Sequence, residues 1–405
     1  MMQRPWWVLP LALALVWLAS LTPTLPRASH ALLDAQLRLA WPATLRGDVA
    51  VVDIDAASVR ALQLQLGKWP YRRDTYAALA DFLFALGARV VVLDVPLPTT
   101  RDADDELARL LRRQGGVVLT ARALGDAQGG DPDALRTQGH EWPAQWPRAA
   151  WPAAIAPDAG LLATRASLGL VAPIDGSDGR LHRWPLLHEV NGRGVPALPL
   201  AALQALQPDA PLRYGDGRVH LGARSWPLDA QGRVVTTLPA GEPVLGFMRV
   251  TAAAQGITDD AGLRSRVRGR IVFVGSSLGG DARGALPATA VWAAATRALA
   301  AGQALGPQSR ALNALLLAVA VLPLLTLRWR RRSDLRTEAL LAAAAMLTVL
   351  MASMLALQAF GLPSQPLSAL LIPAAGWVLL WAAQPRADAS VRPGRDEPAR
   401  SGAPT

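Results

Sequence analysis

Three aspartates stand where apolar runs of the chain end, and their type and spacing suit ligand chemistry. The stretch DVAVVDIDAASV carries Asp53 and Asp55, and Asp94 closes the run 89–95. Residues two apart on a strand point to the same side, so Asp53 and Asp55 are expected on one face. Ligands of open parallel sheets gather outside the carboxyl ends of the strands. Carboxylates collected there would suit a cation, or a cationic or hydroxylated ligand. With oxygen-only ligands the cation would be Mg²⁺ or Ca²⁺. The same residues also fit a plainer role, capping helix starts and accepting from loop amides. That plainer role is preferred, because Ser58 and Asp74 read as caps too.

A second group follows the apolar run 271–274. Gly275-Ser276-Ser277-Leu278-Gly279 fits G-x-S-x-G, the pattern of a nucleophile elbow, whose triad runs Ser, acid, His. All five histidines (His30, His140, His182, His188 and His220) precede Ser277, and the loop continues through Gly280 and Asp281. A glycine-rich anion loop or an ordinary turn is therefore preferred over catalysis, and Ser276, Ser277 and Asp281 are kept as candidate ligand contacts. His182 and His188, six apart, would face the same way on one strand and are expected at the surface rather than on a metal. No H-E-x-x-H, P-loop lysine or G-x-G-x-x-G after a strand is present. The expectation is a chain without catalytic residues, metal or cofactor.

The elements that would position these residues alternate. β-branched runs at Val49–Ile54, 89–95 and 116–120 are separated by helical patterns, first Tyr76, Leu79, Ala80, Leu83 and Leu86, then Leu107, Leu110 and Leu111. This predicts an α/β domain with a parallel or mixed sheet flanked by helices. Residues 161–240 read as mostly β, with strands at 181–190, Arg218–Leu221 and 234–238 and a helix at 197–206. Turns are expected at Asp175-Gly176, Asp178-Gly179, Asn191-Gly192 and Asp216-Gly217. A strand at 271–274 and a helix through 291–301 return to the opening style. Trp-Pro occurs at 41, 69, 142, 146, 151, 184 and 226. A residue before proline is extended, and such tryptophans are expected to plug core edges. The cluster at 142–152 is set apart as a binding candidate, because it lies in a long loop where binding residues concentrate.

Of the 405 residues, 51% are hydrophobic, and there is no cysteine. Disulfides and thiolate metal sites are excluded, so an exported domain must rest on its core alone. The net charge of +10 falls to +3 within residues 28–309, which argues against a nucleic-acid partner. The excess flanks apolar segments. Residues 6–26 follow Arg4 and read as a membrane anchor, or alternatively as a signal peptide cleaved near Ser29-His30-Ala31. Residues 32–42 read as an amphipathic helix, either pairing with its copy or resting on its own domain. Apolar segments follow at 311–327, 339–360 and 367–383. Five arginines between 328 and 336 place that loop in the cytoplasm. The expected layout is a transmembrane anchor (1–27), an extracytoplasmic domain (28–309), three transmembrane helices (310–385) and a disordered cytoplasmic tail (386–405). In a bacterium this is a multi-pass inner-membrane protein with its large domain in the periplasm.

Taken in order, several motifs resemble the type-2 CHASE domain, the cyclase/histidine kinase associated sensory extracellular domain. They are V-D-I-D ending at Asp55, G-K-W-P-Y-R-R at 67–73, L-G-A-R-V-V-V-L-D at 86–94 and D-x-D-D-E-L-A at 102–108. D-G-S-D-G-R-L-H-R at 175–183 and R-I-V-F-V-G at 270–275 follow. The resemblance covers roughly residues 45–305. It implies a sensory role for an unidentified extracytoplasmic ligand, and it adds Trp69, Arg72 and Arg180 to the candidate ligand contacts. An ion pair of Arg180 or Arg183 with a strand-end aspartate is the preferred role for those arginines. Family members often carry G-x-x-x-H-A in the last helix; here Trp292 stands where that His would fall. An output module, such as a cyclase or kinase, usually follows the last membrane helix in the family. Here about 20 residues follow it, so a separate signalling partner is expected, and a homodimer by analogy. The alternatives are a membrane-tethered metal-dependent periplasmic enzyme and a structural docking protein of the envelope.

Overall fold

The computed structural model describes residues 7–22, 24–41, 48–98, 104–126, 130, 135, 139–178, 181–238, 243–259, 261–278, 288–306, 309–329, 335–364 and 366–382. It divides into two compact units. The first comprises Met1–Arg27, Asn313–Ala352 and Gln365–Thr405, and the second Ala28–Leu312 with Ser353–Ser364.

In the first unit, helix Val8–Ser20 packs on helix Pro366–Ala382, with Val16 and Ile372 buried between them. A bilayer-crossing helix needs roughly 20 apolar residues. Among the described residues, one of the four helices expected to span is long and apolar enough: Arg336–Phe360, with 25 residues. Val8–Ser20, Arg310–Leu322 and Pro366–Ala382 are apolar but shorter.

The second unit is built on a seven-stranded sheet. Its order is Val244–Gly246, Val49–Ile54, Ile271–Ser276, Val90–Asp94, Val117–Leu124 and Ala153–Ile155, with Ser167–Val171 also pairing Val117–Leu124. All pairings are parallel except that of Ala153–Ile155, which runs antiparallel to Val117–Leu124 and makes the sheet mixed. The central strands read as unbroken apolar runs because both faces are covered. Ala50, Val52, Ile54, Val91, Leu93, Val272 and Val274 pack under helices Arg73–Ala85, Asp104–Arg113 and Phe247–Ala254. Their alternates, Val49, Val51, Val90, Val92, Ile271 and Phe273, face helices Leu198–Ala205 and Ala288–Ala300.

Trp184 and Trp226 fill this second core, and Trp226 Nε1 donates to the Leu299 carbonyl at 2.8 Å. Trp292 lies edge-on to Trp184, with ring centroids 6.2 Å apart. The residue in the family His position is thus part of the core.

Three small sheets complete the unit. The expected strand 181–190 is broken at Leu186 into Leu181–Pro185 and Leu187–Val190, which belong to different sheets. His182 and His188 therefore do not share a strand, and His188 is buried rather than at the surface. Asp175-Gly176, expected as a turn, lies in strand Asp175–Asp178. The amphipathic helix expected at 32–42 begins earlier and spans Thr24–Ala40.

Candidate functional site

The strand register sets the site. Asp53, Gly275 and Asp94 are mutual partners across three adjacent parallel strands, so their side-chain directions lie on one face. It is the face of Val51, Phe273 and Val92, the one covered by helix Ala288–Ala300. Strand neighbours stand about 4.8 Å apart, so the two aspartates flank Gly275 at roughly twice that span.

Thr289, in the first turn of helix Ala288–Ala300, enters this gap. A Cβ on Gly275 would lie 2.8 Å from both the Cβ and Cγ2 of Thr289, closer than real contacts allow. The Thr289 hydroxyl donates to Asp94 Oδ2 at 2.7 Å. On the other flank, Asp53 accepts from the Ser277 hydroxyl at 2.9 Å and from the Ser277 amide at 3.0 Å. The Ser276 hydroxyl donates to the Ile54 carbonyl at 3.1 Å and accepts from the Leu278 amide. The 276–278 turn is thereby tied to the strand end carrying Asp53.

Both carboxyls are pushed above the usual aspartate range, chiefly by desolvation. For Asp53 the Ser277 bonds oppose the shift, and the Asp55 charge adds to it. For Asp94 the Thr289 bond and the Arg122 charge oppose it. A helix N-terminus beside Asp94 further favours its anion. Two carboxyls with raised pKa at the ligand end of a parallel sheet are the perturbed groups that functional sites collect.

The other candidates fall elsewhere. Asp55 is not on the strand face with Asp53. The strand ends at Ile54, and Asp55 caps helix Ala56–Leu66, its Oδ1 accepting from the Ser58 amide at 2.6 Å. Ser58 is therefore inside the helix rather than its cap, and its hydroxyl accepts from the Met248 amide. Asp74 lies in the first turn of helix Arg73–Ala85, whose N-cap is Arg72. Arg72 forms an exposed ion pair with Asp74 at 3.1 Å. Trp69 is half-buried against the opposite core face, and its Nε1 is enclosed without a partner among the described residues. Arg183 lies on strand Leu181–Pro185, opposite Asp175 in register. Arg180 and Asp281 lie outside the described residues.

Among the described residues no group of three or more acids or histidines could hold a metal ion. The cation site weighed as the alternative for three carboxylates is not assembled among the described residues, because Asp55 caps a helix, the preferred role, and Thr289 fills the gap over Gly275. The Ser277 hydroxyl is spent on Asp53, and among the described residues no histidine bonds it. Thr289 is the contact that sequence reasoning missed. Its signal was a glycine at the end of a central strand, a position that admits a side chain from a neighbouring element.

No curated protein and no solved structure matches the chain. The model of the CHASE2 domain does, over residues 11–327, and that span contains every residue of the carboxylate site. The chain thus belongs to the CHASE2 domain family, a family of sensory extracellular domains.

Proposed function

We propose that the protein is a membrane-anchored extracytoplasmic receptor, with four membrane-crossing segments, that passes its state to a separate signalling protein. The observation that carries this reading is a bonded route through the second unit. Helix Ala288–Ala300 starts at the Asp94–Thr289 bond. Just beyond its end, the Gln303 carbonyl accepts from the Thr236 hydroxyl and the Leu305 amide donates to Val235. Next, the Gly306 amide donates to the Gly361 carbonyl at 2.8 Å, directly after the long apolar helix Leu335–Phe360. Beside this joint, Gln36 Nε2 donates to the Ser353 hydroxyl at 2.9 Å, and Ser353 and Ser364 share a 2.7 Å bond. Leu33, Leu37, Leu305 and Leu357 pack together there.

A ligand shifts such a receptor by its differential affinity for two states. A change at Asp94 that displaces Thr289 would move the helix whose far end is tied to residues 353–364. The metal-dependent enzyme is disfavoured by the filled gap over Gly275. Crosslinking in native membranes, purification of the chain and mass spectrometry test the reading. Recovery of a kinase, cyclase or other signalling protein supports it. Recovery of envelope-assembly proteins alone overturns it in favour of docking.

A further inference from the structure

We infer that a cleft beside His140 binds a small, flat, neutral aromatic molecule, and that the ring stack running from His140 to Trp146 is its platform. This names a ligand class for the receptor reading and rests on it. The cleft holds about 230 Å³ and is walled by His140, Ser167, Leu168, Pro196 and Gln204.

The platform is rigid. The amide of His140 donates to the Gly194 carbonyl and that of Gly194 to the His140 carbonyl, both at 2.8 Å. The Trp142 ring lies on Gly194 so closely that a Cβ there would sit 2.6 Å from Trp142 Cδ2. The His140 ring stacks on Trp142 at 6.0 Å between centroids and 11° between planes. Trp142 stacks on Trp146 at 5.7 Å and 28°, and Trp146 meets Tyr214 at 6.4 Å. Both tryptophans also pack on the core. Among the described residues no second ring stacks on His140, and the residue is exposed, which leaves ring surface for another aromatic. Offset stacking of rings adds to what burial alone gives.

The chemistry of the walls narrows the class. Apolar Leu168 and Pro196 suit a hydrocarbon edge. The Ser167 hydroxyl and Gln204 amide have no hydrogen-bond partner among the described residues, so they are available to an edge donor or acceptor. Apart from His140, no residue lining the cleft is ionisable, which selects a neutral ligand. The volume lies below the roughly 300–1,000 Å³ of drug-sized pockets, which fits one ring or a fused pair.

The test uses the full chain in lipid nanodiscs, with indole, phenol and adenine as probes and N-acetylglucosamine as the saccharide comparison. Saturation-transfer NMR and calorimetry read binding to wild type, His140→Ala, the double variant Ser167→Ala/Gln204→Ala, and Arg213→Ala. Arg213 lines a separate cleft with His220 and serves as the control. Thermal melts confirm that each variant is folded. The expected result is binding of at least one flat probe, weakened about tenfold or more in the first two variants and unchanged in the control. Binding of no flat probe at millimolar concentration, equal binding by all variants, or binding of the saccharide alone would overturn the inference. Because the readout is direct binding, it does not depend on whether a signalling partner is recovered.

Discussion

Thr289 stands where a side chain on Gly275 would have to go. The two residues come from different elements, a central strand and the helix covering it, and their contact aims the Thr289 hydroxyl at Asp94. Glycine is therefore required here by close approach rather than by backbone conformation. Gly275→Ala is expected to push Thr289 away, break its bond to Asp94 and cost about 1–3 kcal/mol, as overpacking typically does. Chemical denaturation of the full chain reads the loss. Pairing the change with Thr289→Ala should recover part of it; no recovery would mean that the glycine serves another purpose.

The raised carboxyls give a pH dependence of definite sign. A folded-state pKa above the unfolded value near 3.9 means that the folded chain holds its proton longer. The contribution of Asp53 and Asp94 to stability is fully present below the unfolded value and is lost as pH rises through the folded one. At neutral pH, well above the unfolded value, both groups weigh against folding. Asp94→Asn keeps an oxygen for the Thr289 hydroxyl and removes the desolvated charge, so its melting temperature at pH 7 should exceed that of wild type. The gap should close below pH 4. A lower melting temperature at neutral pH would show that Asp94 has a stabilising partner beyond Thr289 and Arg122.

His188 gives the opposite slope. It is buried and accepts from Trp151 Nε1 on Nδ1 at 3.1 Å, and burial lowers its pKa from 6.5 to about 3. The unfolded chain takes up this proton first. Stability should therefore fall as pH drops from 6.5 toward 3, by up to about 1.4 kcal/mol per pH unit from this group. Replacing His188 with Asn should flatten that part of the stability profile, measured by urea unfolding across pH 4–7. An unaltered slope would assign acid sensitivity to other groups.

What the sequence disclosed tracks what local pattern can encode. The run Val49–Ile54 is a strand over its full length because apolar β-branched residues bounded by turn or cap residues specify one locally, and Arg218–Leu221 likewise because polar and apolar residues alternate there after a turn. The burial of Trp184 and Trp226 follows the expectation for Trp-Pro plugs. The capping role preferred for Asp55 holds, but its expected place on one face with Asp53 does not, because side-chain alternation lasts only as long as the strand and the helix begins at Ala56. The insertion of Ile271–Ser276 between Val49–Ile54 and Val90–Asp94 is a pairing over more than 170 residues, and no local periodicity carries it. The Thr289 contact depends on that insertion and was invisible for the same reason.

The proposed topology has a direct test, because the chain contains no cysteine and any introduced thiol reports alone. Leu64 is fully exposed on helix Ala56–Leu66 of the second unit, so Leu64→Cys should fold normally and stay accessible. Ser401 lies in the tail expected to be cytoplasmic. With a membrane-impermeant maleimide on spheroplasts, Leu64→Cys is expected to label at once and Ser401→Cys only after permeabilisation. The excess of arginine between 328 and 336 underlies the orientation, since short arginine-rich loops stay inside. Labelling of both sites in intact spheroplasts would require an odd number of crossings between the two to be replaced by an even one, which one of the shorter apolar helices could supply by not spanning. Labelling of Ser401 alone would reverse the orientation and remove the domain from the side where an extracytoplasmic ligand is found.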